Sequence, residues 1–249
     1  NANIEVKGAT SLDFIYMAVA ASPDNAALQN KLARQAIGHA IDYDGIIRNL
    51  AGGAAVRPTT FLPVGVNGST EALTKEIGFR EDLDRARKLL ADAGLPQGFS
   101  FQLAYGNAAI AGVPYQSLAQ KIQADLARVG IKAELAPMDQ VNMRTQYLGG
   151  KLNAVLTFWN PPAPENLLWA AATVDRVARR VHWDVPADAP VRKVIAAAAA
   201  ERDLAKAAEL WKQYQQIMVD QANHFVLIQP IYQVAVRKSV AGLQLTAAG

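Results

Sequence analysis

Apolar residues recur along this chain with two periods, one near 2 and one near 3.6, and the two alternate. Ile4-Glu5-Val6 alternates apolar and polar, and Leu12 to Val19 is rich in β-formers, so both predict strands. After Ser22-Pro23-Asp24, Leu28, Leu32, Ala36 and Ala40 share one face of a helix predicted from about Asn25 to Ala40. Asp42 and Asp44 sit where a second helix would be capped, with Ile46, Ile47 and Leu50 as its apolar side and Gly52-Gly53 at its end. Residues 54–80 carry Pro58, Pro63, Gly65, Gly68 and Gly78 with little periodicity, which predicts a long irregular segment of the kind that tends to be functional. A helix is predicted from Glu81 to Ala93, acidic at its start and closed by Gly94.

Phe99 to Tyr105 alternates as a strand. A helix opening at Pro114 places Ala119, Ile122, Leu126 and Val129 in one stripe, Gly130 ends it, and Ile131 to Leu135 returns as a strand. This is a β-α-β unit. A helix over Gln140 to Leu148 and a strand over Leu152 to Phe158 continue the alternation. The proline-rich residues 161–190 predict no element. Pro190 to Ala200 and Glu201 to Gln221 read as helices, and Phe225–Ile228 and Ile231–Val236 as strands broken by Pro230. The expected fold class is α/β: a mixed sheet flanked by helices.

Composition narrows the function. Of the 249 residues 51% are hydrophobic and 19% charged, as in a globular protein with a sizeable core. The net charge is only +3, and a nucleic-acid partner normally demands a clustered basic face. The nearest thing to one, Arg176, Arg179 and Arg180, reads as a solvated helix end. With no cysteine, disulfides, Cys-ligated zinc and thiol catalysis are excluded together. No apolar run approaches the roughly 20 residues that a membrane helix needs.

Catalytic and metal motifs are absent from the sequence: it has no G-x-S-x-G, H-E-x-x-H, P-loop or G-x-G-x-x-G. His39 lies on a predicted helix and reads as structural. His182 and Asp184 are too few for a metal site, and His224, opening a strand, reads as a surface or hinge residue. No metal or cofactor is expected. The aromatic residues say more. Phe158-Trp159-Asn160 closes a strand and runs into Pro161-Pro162, and Tyr105-Gly106-Asn107 closes another. The carboxyl ends of strands are where open α/β sheets place ligands.

Several stretches together resemble one family. Lys31 to Ile47 (KLARQAIGHAIDYDGII), Gly52-Gly53-Ala54-Ala55 followed by Pro58 and Leu62-Pro63, Asp84 to Phe99 (DRARKLLADAGLPQGF), Ala119 to Leu135 and Ala205 to Ile231 are similar to the motifs of family 5 extracellular solute-binding proteins. These are the peptide- and nickel-type binding proteins of ABC importers. The resemblance implies a periplasmic-binding-protein-like lobe belonging to a longer two-lobed chain. On this expectation residues 20–225 form the distal ligand-binding lobe, while residues 1–19 and 226–249 are hinge-crossing strands leading to a first lobe outside this sequence.

It further implies a periplasmic protein or cell-surface lipoprotein, acting as a monomer, that is not an enzyme. Such a protein captures a small-molecule ligand between its lobes and delivers it to the permease's transmembrane subunits. In peptide-binding relatives the segment matching Val155 to Leu168 carries an Asp that pairs with the ligand's α-amino group. Here Asn160 is the nearest substitute and Glu165 the only acid, so a peptide held by its free amine is not expected. The candidate ligand-binding residues are Phe158, Trp159, Asn160 and Glu165, with Arg57, Thr59, Thr60, Tyr105 and Asn107 as the rest of the wall. The competing functions are an α/β hydrolase or transferase and the ligand-sensing module of a regulator.

Overall fold

The computed structural model describes residues 3–160 and 163–246. The chain opens with strands β1 (Ile4–Thr10) and β2 (Phe14–Val19), then helices α1 (Ala26–Gln29), α2 (Lys31–Ala40) and α3 (Tyr43–Asn49). Short strand β3 (Ala55–Val56) precedes α4 (Glu71–Ile77) and α5 (Leu83–Asp92). Next come β4 (Ser100–Gly106), the small pair β5 (Ala109–Ile110) and β6 (Val113–Pro114), α6 (Tyr115–Ala127), β7 (Lys132–Met138), α7 (Gln140–Leu148) and β8 (Ala154–Trp159). Helix α8 (Asn166–Ala172) runs through a π-helical turn (Thr173–Val177) into α9 (Ala178–Arg180). Helices α10 (Pro190–Ala200) and α11 (Leu204–Gln221) and strand β9 (His224–Arg237) complete it.

The sheet runs β1-β9-β2-β8-β4-β7, with β3 also on β9. Strands β8, β4 and β7 are parallel, joined by the expected β4-α6-β7 crossover, and the remaining pairs are antiparallel. The fold is therefore mixed α/β. Its centre is β2, which is buried on both faces and so reads as an unbroken apolar run, Phe14-Ile15-Tyr16-Met17-Ala18-Val19. Ile15, Met17 and Val19 face a core made with α2, α3, α5 and α6. Phe14, Tyr16 and Ala18 face a second core with Phe61, Met143, Tyr147, Val177 and Val181. A third cluster, around Trp169, Trp211 and Tyr214, joins α8, α10 and α11.

Four local expectations are corrected. The helix from Asn25 to Ala40 is two helices, because Asn30 is extended (ψ 118°) and its side chain accepts from the Leu32 amide at 2.9 Å, capping α2. The irregular segment contains α4, capped by the Thr70 hydroxyl on the Leu73 amide. The unassigned 161–190 stretch holds α8, the π turn and α9, while Pro161 and Pro162 themselves lie outside the described residues.

Pro230, finally, does not break β9. Up to Ile228 the strand pairs with β2, and from Ile231 onward with β1. Pro230 stands at that exchange, opposite Ala55, with its carbonyl accepting from the Ser11 amide at 2.9 Å. The N–H it lacks is missing where the ladder changes partner. Beside it Gln229, fully buried, donates to the Ser11 carbonyl (2.6 Å) and accepts from the Val64 amide (2.7 Å), fastening the loop after β3 to the exchange point.

Close packing of α2 on the sheet requires a glycine. A Cβ added at Gly38 would lie 2.5 Å from Phe79 and 2.7 Å from Phe225, both rigid rings in the core. Gly38→Ala gains up to about 1 kcal/mol of helix propensity, but overpacking costs about 1–3 kcal/mol. The expected result is a net loss of about 1–2 kcal/mol, read from the urea midpoint.

Candidate ligand-binding site

Strands β4, β7 and β8 end together at Gly106, Met138 and Trp159, and β2 begins beside them, since Phe14 pairs with Trp159. The crevice outside such carboxyl ends is where open α/β sheets place ligands in general. A hollow of about 250 Å³ lies there, between the end of β8, helix α7 and the π turn with α9.

Trp159, half-buried, stands between the core and this hollow. Its ring lies 5.6 Å from that of Phe61, and it also lines the hollow. Phe158, 39% exposed, and Asn160 border it too. The Asn160 amide donates to Asp13 Oδ1 at 2.6 Å, and the Tyr232 hydroxyl donates to Oδ2 at 2.7 Å. Burial, reinforced by Asp13, pushes the Tyr232 phenol up to about 12. Asp13 thus ties the end of β8 to the second half of β9, with one partner on each of its oxygens. No sequence signal marks it, because these contacts join residues 147 and 219 positions apart.

The floor of the hollow is polar and aromatic. The Tyr16 and Tyr147 hydroxyls are 3.0 Å apart and buried, and burial is the main reason both phenols titrate above their ordinary value. The Arg180 guanidinium stands 5.3 Å from the Tyr147 ring centroid. Arg144 and Arg176 also line the hollow, and among the described residues no Asp or Glu does. The basic run of the sequence is therefore divided rather than uniformly solvated. Arg180, half-buried, and Arg176, exposed, border the hollow, while Arg179, also exposed, donates to the Asp175 carbonyl.

The other candidate residues lie elsewhere. Arg57 donates to the Phe79 carbonyl at 2.6 Å and stacks 4.0 Å over the Tyr43 ring, and burial lowers its pKa. Thr59 and Thr60 are buried, with the Thr59 hydroxyl 3.0 Å from that of Thr74. Tyr105 is buried in the core on the opposite face, and Asn107 is exposed just past β4. Glu165 borders a separate hollow with Asn166, Leu167 and Trp211. Of the nine, Phe158, Trp159 and Asn160 are the ones brought together. Gly106 helps shape the same edge, because a Cβ there would fall 1.9 Å from Gln140 Oε1.

Among the described residues, no group of three or more His, Asp and Glu side chains is placed to hold a metal ion. His39 Nδ1 lies 3.1 Å from the Arg80 carbonyl and His182 Nε2 2.8 Å from that of Gly150. His224 is not at the surface. It is 6% exposed beneath Phe61, ring centroids 4.9 Å apart, and neither ring nitrogen has a hydrogen-bond partner among the described residues.

Comparison with known proteins places this geometry in context. Residues 1–177 match the family model described as "Bacterial extracellular solute-binding proteins, family 5 Middle". The chain is 29% identical over 224 residues to the dipeptide-binding protein of Escherichia coli, covering 86% of this chain and 40% of that protein. It is 27% identical over 168 residues to heme-binding protein A of Haemophilus influenzae, covering 66% of this chain and 29% of that one. The structure of HbpA2 from Haemophilus parasuis superposes with a TM-score of 0.82 at 23% identity, covering 95% of this chain and 46% of that one. This chain therefore spans less than half the length of these relatives.

The buried imidazole makes the fold sensitive to acid. Burial, helped by Arg180 and Arg34, lowers the His224 pKa to about 3. Between that value and the unfolded value of about 6.5 the unfolded chain binds a proton that the folded chain does not, so stability falls as pH drops through this window. The slope from this group is at most about 1.4 kcal/mol per pH unit. His224→Leu should keep the fold and flatten that slope, reducing the loss between about pH 7 and 5 by roughly 2 kcal/mol in urea unfolding.

Proposed function

Because the chain belongs to family 5 of the bacterial extracellular solute-binding proteins, we propose that it is the distal lobe of a two-lobed binding component of an ABC importer. In this reading it captures a small solute and delivers it to the permease. The observation that carries the proposal is the Trp159 hollow at the carboxyl ends of β4, β7 and β8, within a chain whose family match covers that edge. The relatives are named for what they bind, which supports capture over hydrolysis or group transfer. Among the described residues, no helix is long and apolar enough to cross a membrane.

The change of partner in β9 supports a lobe boundary at that point. Residues 224–228 and β2 belong to the central sheet, whereas β1 and residues 231–237 form a two-stranded ribbon with alternating exposure. That ribbon is the part we assign to the crossing toward a first lobe, with Asp13, Gln229 and Pro230 at its base. Two lobes joined there would close over the Trp159 edge by hinge motion. The working protein would be a monomer in the periplasm or a lipoprotein at the cell surface.

Trp159 supplies the flat apolar contact of this reading, and Phe158 and Asn160 its border. The test is to purify the full-length protein, identify by mass spectrometry any small molecule it carries, and titrate that molecule by calorimetry. Trp159→Ala should weaken binding roughly tenfold or more while the variant still unfolds cooperatively. Turnover of the molecule, or unchanged affinity in a folded Trp159→Ala variant, would defeat the reading.

A further inference from the structure

We infer that the solute is an anion and that Arg144, Arg176 and Arg180 receive its carboxylate or phosphate group in the Trp159 hollow; this rests on the solute-capture reading and names the chemical class. The first observation is charge without compensation. Three guanidinium groups line one hollow of about 250 Å³ in which, among the described residues, no carboxylate takes part. Among the described residues none of the three forms an ion pair, although the chain makes such pairs freely elsewhere, as in Arg192 with Asp175 (2.6 Å) and Lys121 with Asp125 (2.6 Å).

The second observation is how the chain arranges them. Arg176 and Arg180 are four residues apart and so share a helix face. They are carried by the π turn and α9, a local form found most often as a single turn at functional sites. The acid of this turn, Asp175, points away and is engaged by Arg192. Arg144 approaches from α7 on the other side of the hollow. Cations from two separate helices thus converge on one space.

The third observation is preorganisation. Arg180 lies against the Tyr147 ring, and that tyrosine is held by the buried Tyr16 hydroxyl at 3.0 Å. A planar guanidinium fixed in this way offers paired N–H donors to a two-oxygen acceptor. The Asp13 carboxylate, one hydrogen bond from Asn160 on the border of the hollow, is already engaged by Asn160 and Tyr232. Trp159, on the border of the same hollow, would cover the apolar remainder of the molecule.

The experiment uses the full-length protein and three probes, succinate, inorganic phosphate and the dication putrescine, followed by calorimetry and by the arginine Nε–Hε NMR signals. Succinate or phosphate should shift the signals of Arg176 and Arg180, and putrescine should not. A response to succinate alone assigns a carboxylate ligand, and a response to phosphate alone assigns a phosphate ligand. Arg176→Gln combined with Arg180→Gln should weaken binding of the responding probe by about tenfold to a hundredfold. Arg179→Gln, on the same helix but turned away, should leave it unchanged.

Two results would overturn the inference. If the solute that copurifies is neutral or cationic, and its affinity depends on Trp159 but not on the arginines, capture stands and the anionic class falls. If neither probe nor any copurifying molecule binds, the capture reading falls with it.

Discussion

A single strand belongs to two structures at once. Along its first residues β9 completes the central sheet beside β2, and along its last residues it pairs only with β1. The exchange occurs at Pro230, where an ordinary residue would leave one more N–H to satisfy, and Gln229 supplies the hydrogen bonds that hold the neighbouring loop against it. Everything described here is placed relative to that point. The Trp159 edge lies one strand away across β2, and Asp13 ties that edge to the outgoing half of β9. The candidate site and the candidate crossing are therefore mechanically continuous.

The electrostatics of the site and of the core also meet in one residue. Arg180 leans on Tyr147 at the hollow, yet its charge also contributes to keeping His224 neutral in the layer beneath. A buried imidazole without partners and a row of cations around an open space are both costly in isolation. Placed together they are consistent, since the neutral ring adds no repulsion to the cations above it. Protonating the ring would add a like charge where the low local dielectric makes it most expensive.

Most of the fold was legible wherever one periodicity dominated. The α6 stripe of Ala119, Ile122 and Leu126 is legible because that helix buries one face, and β4 is legible from the alternation of its first residues, Ser100 to Leu103, although beyond them both of its faces are buried. The helices between residues 163 and 180 were not, since Trp169, Val174 and Val177 pack into two different clusters and the prolines before them mask the start. Pro230 misled for a different reason, because a break in a strand and a change of partner have the same local sequence. At the site, the strand-end aromatics Phe158 and Trp159 were legible. The convergence of Arg144 with Arg176 and Arg180 was not, since it depends on two helices meeting across the sheet edge. The position of Thr59 and Thr60 in a proline-rich loop suggests exposure, but both are buried.

The pairing of the first strands with the last has a kinetic consequence. Ile4 is opposite Arg237 and Ala18 opposite His224, so segments far apart in sequence must find one another before the sheet is whole. Such distant pairings form slowly because loop closure precedes any gain from contact. While the chain is being made, β8 can cover one edge of β2, but the other stays open until β9 emerges. The apolar segment Phe14–Val19 is then an unprotected edge and the part of the molecule most prone to wrong association. Synthesis that stops short of β9 would leave helices α1 to α11 made and the central strand exposed along one edge.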